Sequence, residues 1–89
     1  MADLKSRVLR FLDIKYPNIW YATGEPDILL CYNGHFIAIE LRVPTGRITQ
    51  LQAHTLDKIL DAGGIARVCR SVKEVDELLI NVIRFRGAR

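Results

Sequence analysis

Two acidic residues stand at matching positions of a hairpin pattern, Asp27 before one apolar run and Glu40 at the end of the next. The runs are joined by Asn33-Gly34, the dipeptide most typical of a two-residue β-hairpin turn. Such a turn fixes the register, and counting outward from it pairs Asp27 directly with Glu40. Directly paired side chains lie roughly 5 Å apart, where two negative charges repel each other. We therefore expect a cation between the two carboxylates, and a divalent metal ion is the simplest one.

A third charged residue, Arg42, belongs to the same end of this hairpin. Side chains two positions apart along a strand project to the same face, so Arg42 lies beside Glu40. An ordinary ion pair is the alternative, with Glu25 as the partner that the register places opposite Arg42. For the two acids, the alternative is a frayed hairpin base that leaves each carboxylate to cap or solvate a strand end.

Gln52 is a polar residue on the apolar stripe of the next predicted helix. Thr49 followed by Gln52 matches a capping box, which predicts the start of a helix that runs to about Ala62 and is capped by Gly63-Gly64. The other members of its inward stripe are Leu56, Ile59 and Leu60. A glutamine on this stripe could reach the charged end of the hairpin, although the capping box alone also explains it.

The remaining periodicities predict the elements that position these residues. We expect a helix over 3–15, a short strand over 19–22, hairpin strands over 27–32 and 35–42, a strand over 65–69 and a last helix from a second capping box at Ser71 to near Arg84. The order is αβββαβα. Trp20 and Tyr21 are expected in the core or an interface.

Composition predicts a single small domain over residues 1–89, because 49% of the chain is hydrophobic. No apolar run approaches the roughly 20 residues that span a bilayer, and the first residues lack the apolar centre of a signal peptide. A cytosolic or nuclear location is therefore expected. The net charge of +3 is weak evidence for a nucleic-acid partner. Cys31 and Cys69 belong to no CxxC pair, so buried free thiols are expected rather than a zinc site.

Pro26-Asp27 followed by Glu40-Leu41-Arg42 resembles the signature of the PD-(D/E)xK nuclease superfamily, and the element order is similar to its core. With Gly24-Glu25, the Thr49 to Gln52 helix start and the Gly63-Gly64 helix end, the chain looks like a small stand-alone VRR-NUC domain of the phage or prophage type. The resemblance covers about residues 4–79. It implies a restriction-endonuclease-like α/β core with a mixed central sheet flanked by helices.

The resemblance also implies an activity, namely Mg²⁺- or Mn²⁺-dependent hydrolysis of DNA phosphodiester bonds by an endonuclease. Asp27 and Glu40 would hold the metal, with the Leu41 carbonyl as a further ligand. Arg42 and Gln52 would complete the catalytic site, Gln52 by orienting a water or a phosphate oxygen. Branched or Holliday-junction-like DNA, a homodimer, and the cytoplasm of a bacterium or a phage-infected host are implied in the same way.

Arg42 stands where the superfamily usually has lysine. Arginine binds phosphate through two N–H groups but effectively never gives up its proton, so it cannot act as a proton acceptor. A second interpretation is therefore a catalytically weak or inactive nuclease-fold module that binds DNA or protein. Such a module would bind DNA with a steep salt dependence and would not cleave it when Mn²⁺ is added.

Overall fold

Three helices and four strands occur within residues 3–87, in the order that the sequence predicts. The structure is a computed structural model that describes the backbone of residues 3–87 and the side chains of residues 3–82. The elements are α1 (Leu4–Lys15), β1 (Trp20–Thr23), β2 (Ile28–Tyr32), β3 (His35–Leu41), α2 (Gln50–Asp61), β4 (Ile65–Cys69) and α3 (Val72–Gly87). The αβββαβα order and the α/β class are confirmed.

The four strands form one mixed sheet in the order β1-β2-β3-β4. The first three strands are antiparallel, and β4 runs parallel to β3 after the crossover through α2. Asn33 and Gly34 both have positive φ, 51° and 79°, as a two-residue hairpin turn of the primed type requires. The predicted register is confirmed from Tyr32↔His35 at the turn to Ile28↔Ile39 at the far end.

The helices cover the two faces of the sheet unequally. Helices α1 and α3 pack on one face, where Ile37 and Ile39 of β3 contribute to the larger core. Helix α2 packs on the other face, mainly against β3 and β4, and its Leu56 forms a smaller cluster with Ala38 and Ala66. Because side chains alternate along a strand, Glu40 lies on the same face as Ala38, the face that α2 covers.

Two sequence predictions about burial are wrong, because Cys31 and Leu60 are exposed. Trp20, Cys31 and Phe36 form one row of directly paired residues across β1, β2 and β3, and all three are exposed. Trp20 is 61% exposed, which excludes the core but not an interface, and Cys31 is not the buried thiol that we expected. Cys69 is buried as predicted. Leu60, which we expected on the inward stripe of α2, is 49% exposed.

Element boundaries also differ from the predictions. Asp27 precedes β2, Arg42 follows β3, and β1 begins at Trp20 rather than Ile19. Helix α3 continues to Gly87, past the predicted end near Arg84. Within the described residues, no helix is both long enough and apolar enough to cross a membrane.

An ion pair and a hydrogen bond to Asp76 connect the end of α1 to α3. Lys15 Nζ lies 2.8 Å from Asp76 Oδ1, and the largely buried Tyr16 donates its hydroxyl hydrogen to the same oxygen at 2.8 Å. The hydrogen bond from Lys15 holds the pKa of Asp76 below its usual value, while burial and Asp76 raise the pKa of Tyr16. The network fixes the helix layer on the face of the sheet opposite α2.

Substituting Asp76→Asn is expected to lower the free energy of unfolding by on the order of 1–2 kcal/mol at pH 7, because it removes the ion pair and weakens the bond to Tyr16. Since the pKa of Asp76 is lowered in the folded state, its contribution is present above pH 3.8 and is lost as the pH falls through the folded value. Urea unfolding measures the change. Glu77→Gln, at an exposed position of the same helix, is the matched control, and an equal effect of both substitutions would contradict the assignment.

Candidate active site

Asp27 is held at the base of the hairpin by its own carboxylate. Its Oδ2 atom accepts a hydrogen bond of 2.8 Å from the backbone N–H of Leu41. Its backbone N–H donates to Glu40 Oε1 at 3.3 Å. These side-chain bonds continue the contact between the strands past Ile28, where the regular ladder ends beside Pro26, a residue without an N–H donor. The hairpin base is therefore closed, and the alternative in which fraying separates Asp27 from Glu40 is wrong.

Glu40 is the buried charged residue of the site. Glu40 is 1% exposed, and within residues 3–82 it is the one charged residue that is buried. Burial raises the pKa of Glu40 to about 7, and the nearby Asp27 and Glu25 carboxylates contribute to the increase. An ionised carboxylate in such a place is costly unless a cation compensates it.

Arg42 supplies positive charge to this pair in the structure. Its Nη1 atom lies 3.2 Å from Asp27 Oδ2 and also donates to the Leu41 carbonyl oxygen. Its Nη2 atom lies 3.8 Å from Glu40 Oε1. The expected ion pair of Arg42 is thus confirmed, but among the described side chains its acidic partners are Asp27 and Glu40 rather than Glu25. The guanidinium therefore contacts Asp27, Glu40 and the Leu41 carbonyl, the three groups that the family resemblance implies as metal ligands.

Gln52 forms both halves of the predicted capping box. Thr49 donates its backbone N–H to Gln52 Oε1 at 2.9 Å, and the N–H of Gln52 donates to Thr49 Oγ1 at 3.1 Å. The free amide end, Nε2, donates to Glu25 Oε1 at 3.5 Å. The hydrogen bonds of Gln52 therefore lead to Glu25, next to the carboxylate pair, rather than to Asp27 or Glu40.

Glu25 has a place in the site that the sequence did not predict, because the register suggests Arg42 and not Gln52 as its partner. It lines a depression of about 300 Å³ with Pro26, Thr49, Leu51, Gln52 and Thr55. Its position two residues before Asp27 was the available signal. It adds a further acidic group at the side of the site that faces α2.

The loop between β3 and α2 is held by Arg70, the residue that follows β4. Arg70 donates from Nη1 to the carbonyl oxygen of Val43 at 3.0 Å and also to that of Gly46. The backbone N–H of Arg70 in turn donates to Glu74 Oε1 at 2.8 Å, at the start of α3. This bracing holds the loop that leads into α2.

The donor set suits a hard divalent cation. Two carboxylates and one backbone carbonyl, all oxygen, converge at the end of β3, and Mg²⁺ is usually bound by one or two carboxylates while it keeps several waters. Burial raises the pKa of Glu40, and the hydrogen bond that its carboxylate accepts from the backbone N–H of Asp27 is long, at 3.3 Å. A bound cation would compensate this carboxylate when it is ionised. No cluster of three or more His, Cys, Asp or Glu side chains with metal-site geometry occurs within the described residues, so the carbonyl of Leu41 would be needed as the third protein ligand.

The fold is that of a VRR-NUC domain. A solved structure described as a VRR_NUC domain is similar to this chain with a TM-score of 0.67, and the similarity covers 88% of this chain and 96% of that one. The two sequences are 19% identical, so the likeness concerns the fold. No protein-family model matches the sequence, and no curated protein matches it significantly. The fold that the sequence resemblance implied is confirmed.

Proposed function

We propose that this protein is a Mg²⁺- or Mn²⁺-dependent deoxyribonuclease that hydrolyses phosphodiester bonds as an endonuclease. The observation that carries the proposal is the pairing of Asp27 with buried Glu40 at the end of β3, held by a 2.8 Å bond from Leu41 to Asp27. A fold of the VRR-NUC type supports it.

Each residue of the site has a role in this proposal. Asp27, Glu40 and the Leu41 carbonyl would hold the metal. The bound ion would lower the pKa of a water and offset the charge that develops on the phosphate. Arg42 would bind a phosphate oxygen, a role that needs positive charge but no loss of a proton. Gln52 would orient a water or a phosphate oxygen from the Glu25 side.

Branched or junction DNA and a homodimer complete the proposal. The exposed row of Trp20, Cys31 and Phe36 supports a protein partner, because aromatic side chains are enriched at interfaces between proteins. A second copy of the chain would bring a second site to the same DNA, as cleavage of both strands at a junction requires. Sedimentation of the purified protein tests this part separately.

A non-cleaving DNA-binding module is the second candidate function. The contacts of the Arg42 guanidinium with Asp27, Glu40 and Leu41 favour it, because an arginine that stays there would keep a metal out.

A Mn²⁺ titration of cleavage on linear, nicked and four-way-junction DNA distinguishes the two candidates. We expect Mn²⁺-dependent cutting by the parent protein and a rate in Arg42→Lys that is higher by up to about tenfold, since lysine is a smaller point charge that can also accept a proton. Salt-sensitive DNA binding without cleavage by either protein would instead support the non-cleaving module.

A further inference from the structure

Arg42 and a metal ion would use the same oxygen atoms. Arg42 Nη1 is hydrogen-bonded to Asp27 Oδ2 and to the Leu41 carbonyl, and Nη2 is close to Glu40 Oε1. A metal ion binds such oxygens at about 2.0–2.1 Å. It would then lie within a few ångström of the guanidinium, and a divalent cation and a guanidinium at that distance repel each other. The two cations therefore exclude each other.

The side chain of Arg42 can move away from these oxygen atoms without a change in the sheet. The backbone N–H of Arg42 donates to the Cys69 carbonyl at 3.1 Å, which fixes the main chain at the end of β3. The side chain itself is 22% exposed, and the residue that follows, Val43, is exposed at the start of the loop. Rotation of side-chain torsions alone would carry the guanidinium toward solvent.

We propose that Arg42 is an internal competitor of the metal, bound to the ligand oxygens of the metal-free protein and displaced when a divalent cation binds. This proposal rests on the proposed function. Displacement leaves the guanidinium beside the metal site with its donors free, so metal binding and phosphate binding by Arg42 are coupled. The positive charge of Arg42 thus has two successive partners, first the carboxylates and then the DNA backbone.

Calorimetric titration of the DNA-free protein with Mn²⁺ tests the competition. Arg42→Gln should bind Mn²⁺ on the order of tenfold more tightly than the parent, because the competing charge is gone. Arg47→Gln, which removes one positive charge from an exposed position of the following loop, is the matched control and should change the affinity by about twofold or less.

A measurement on the parent protein follows the arginine itself. Titration with diamagnetic Mg²⁺ should shift the Nε–H resonance of Arg42 in the NMR spectrum, with the same midpoint as metal binding. This readout does not depend on whether Arg42→Gln folds. It also separates displacement from a general electrostatic effect, because only a guanidinium that changes partners should show a large shift.

Two results would overturn the proposal. The first is Mn²⁺ binding by Arg42→Gln that is equal to or weaker than that of the parent. The second is an Arg42 resonance that stays in place while the metal binds. If the parent binds Mn²⁺ and cleaves DNA in either case, the proposed nuclease function stands and the competition alone is wrong. If no variant binds a divalent cation, both fail.

Discussion

Asp27→Asn and Glu40→Gln are each expected to reduce metal-dependent DNA cleavage by at least about a hundredfold. Each substitution replaces an anionic ligand by a neutral amide of similar shape, and the loss of a few kcal/mol of transition-state stabilisation corresponds to a change of this size. The amides retain acceptor oxygens, so the hydrogen bonds from Leu41 to residue 27 and from Asp27 to residue 40 can persist. Initial rates with Mn²⁺ in excess measure the effect.

The matched control for these two variants is Asp57→Asn. Asp57 is exposed on α2 and carries the same charge as Asp27, but it contributes nothing to the carboxylate pair. Its substitution should leave the rate within about twofold of the parent. Circular dichroism checks that all three variants are folded. If Asp27→Asn or Glu40→Gln cleaves as fast as Asp57→Asn, the site is assigned to the wrong residues.

The metal-free protein is expected to lose stability as the pH rises from about 4.5 to about 7. In the folded chain the pKa of Glu40 is raised from 4.5 to about 7, so the folded state holds this proton more tightly than the unfolded state does. The resulting stabilisation is fully present below pH 4.5 and is lost as the pH rises through 7. Its size is on the order of 3 kcal/mol. Urea unfolding at pH 5 and pH 8, with a chelator present, measures it.

The variant Glu40→Gln isolates this contribution. It should unfold with nearly the same free energy at pH 5 and pH 8, and at pH 8 it should be more stable than the parent, because it places no charge in the buried position. Addition of Mg²⁺ at pH 8 should stabilise the parent and not this variant. A parent protein whose stability does not fall between these two pH values would show that Glu40 ionises without cost.

The hairpin could be predicted from the sequence because local rules determine it. Asn33-Gly34 fixes the turn, the turn fixes the register, and the register brings Asp27 to Glu40. The capping box at Thr49 and Gln52 is equally local and was predicted for the same reason. The chain order of the elements follows from periodicity, and the mixed sheet was implied by the resemblance.

The rest of the site depends on tertiary packing and could not be predicted locally. The extent to which α2 covers the sheet decides that Glu40 is buried while Trp20 and Cys31 are exposed, and no local pattern encodes that extent. The partners of Arg42 depend on where its long side chain turns after β3 ends. Register suggested Glu25, but the carboxylates of Asp27 and Glu40 are closer. Glu25 meets Gln52 instead, through the loop that Arg70 holds in place.

The central claim is that Asp27, Glu40 and the Leu41 carbonyl together hold a divalent metal ion. A crystal of the protein soaked in Mn²⁺ tests it most directly, through an anomalous difference map collected where manganese scatters strongly. The account predicts a peak in bonding contact with an oxygen of each of these three residues, with the Arg42 guanidinium moved off them. A map with no peak there, and with Arg42 still bonded to Asp27 at saturating Mn²⁺, would contradict it.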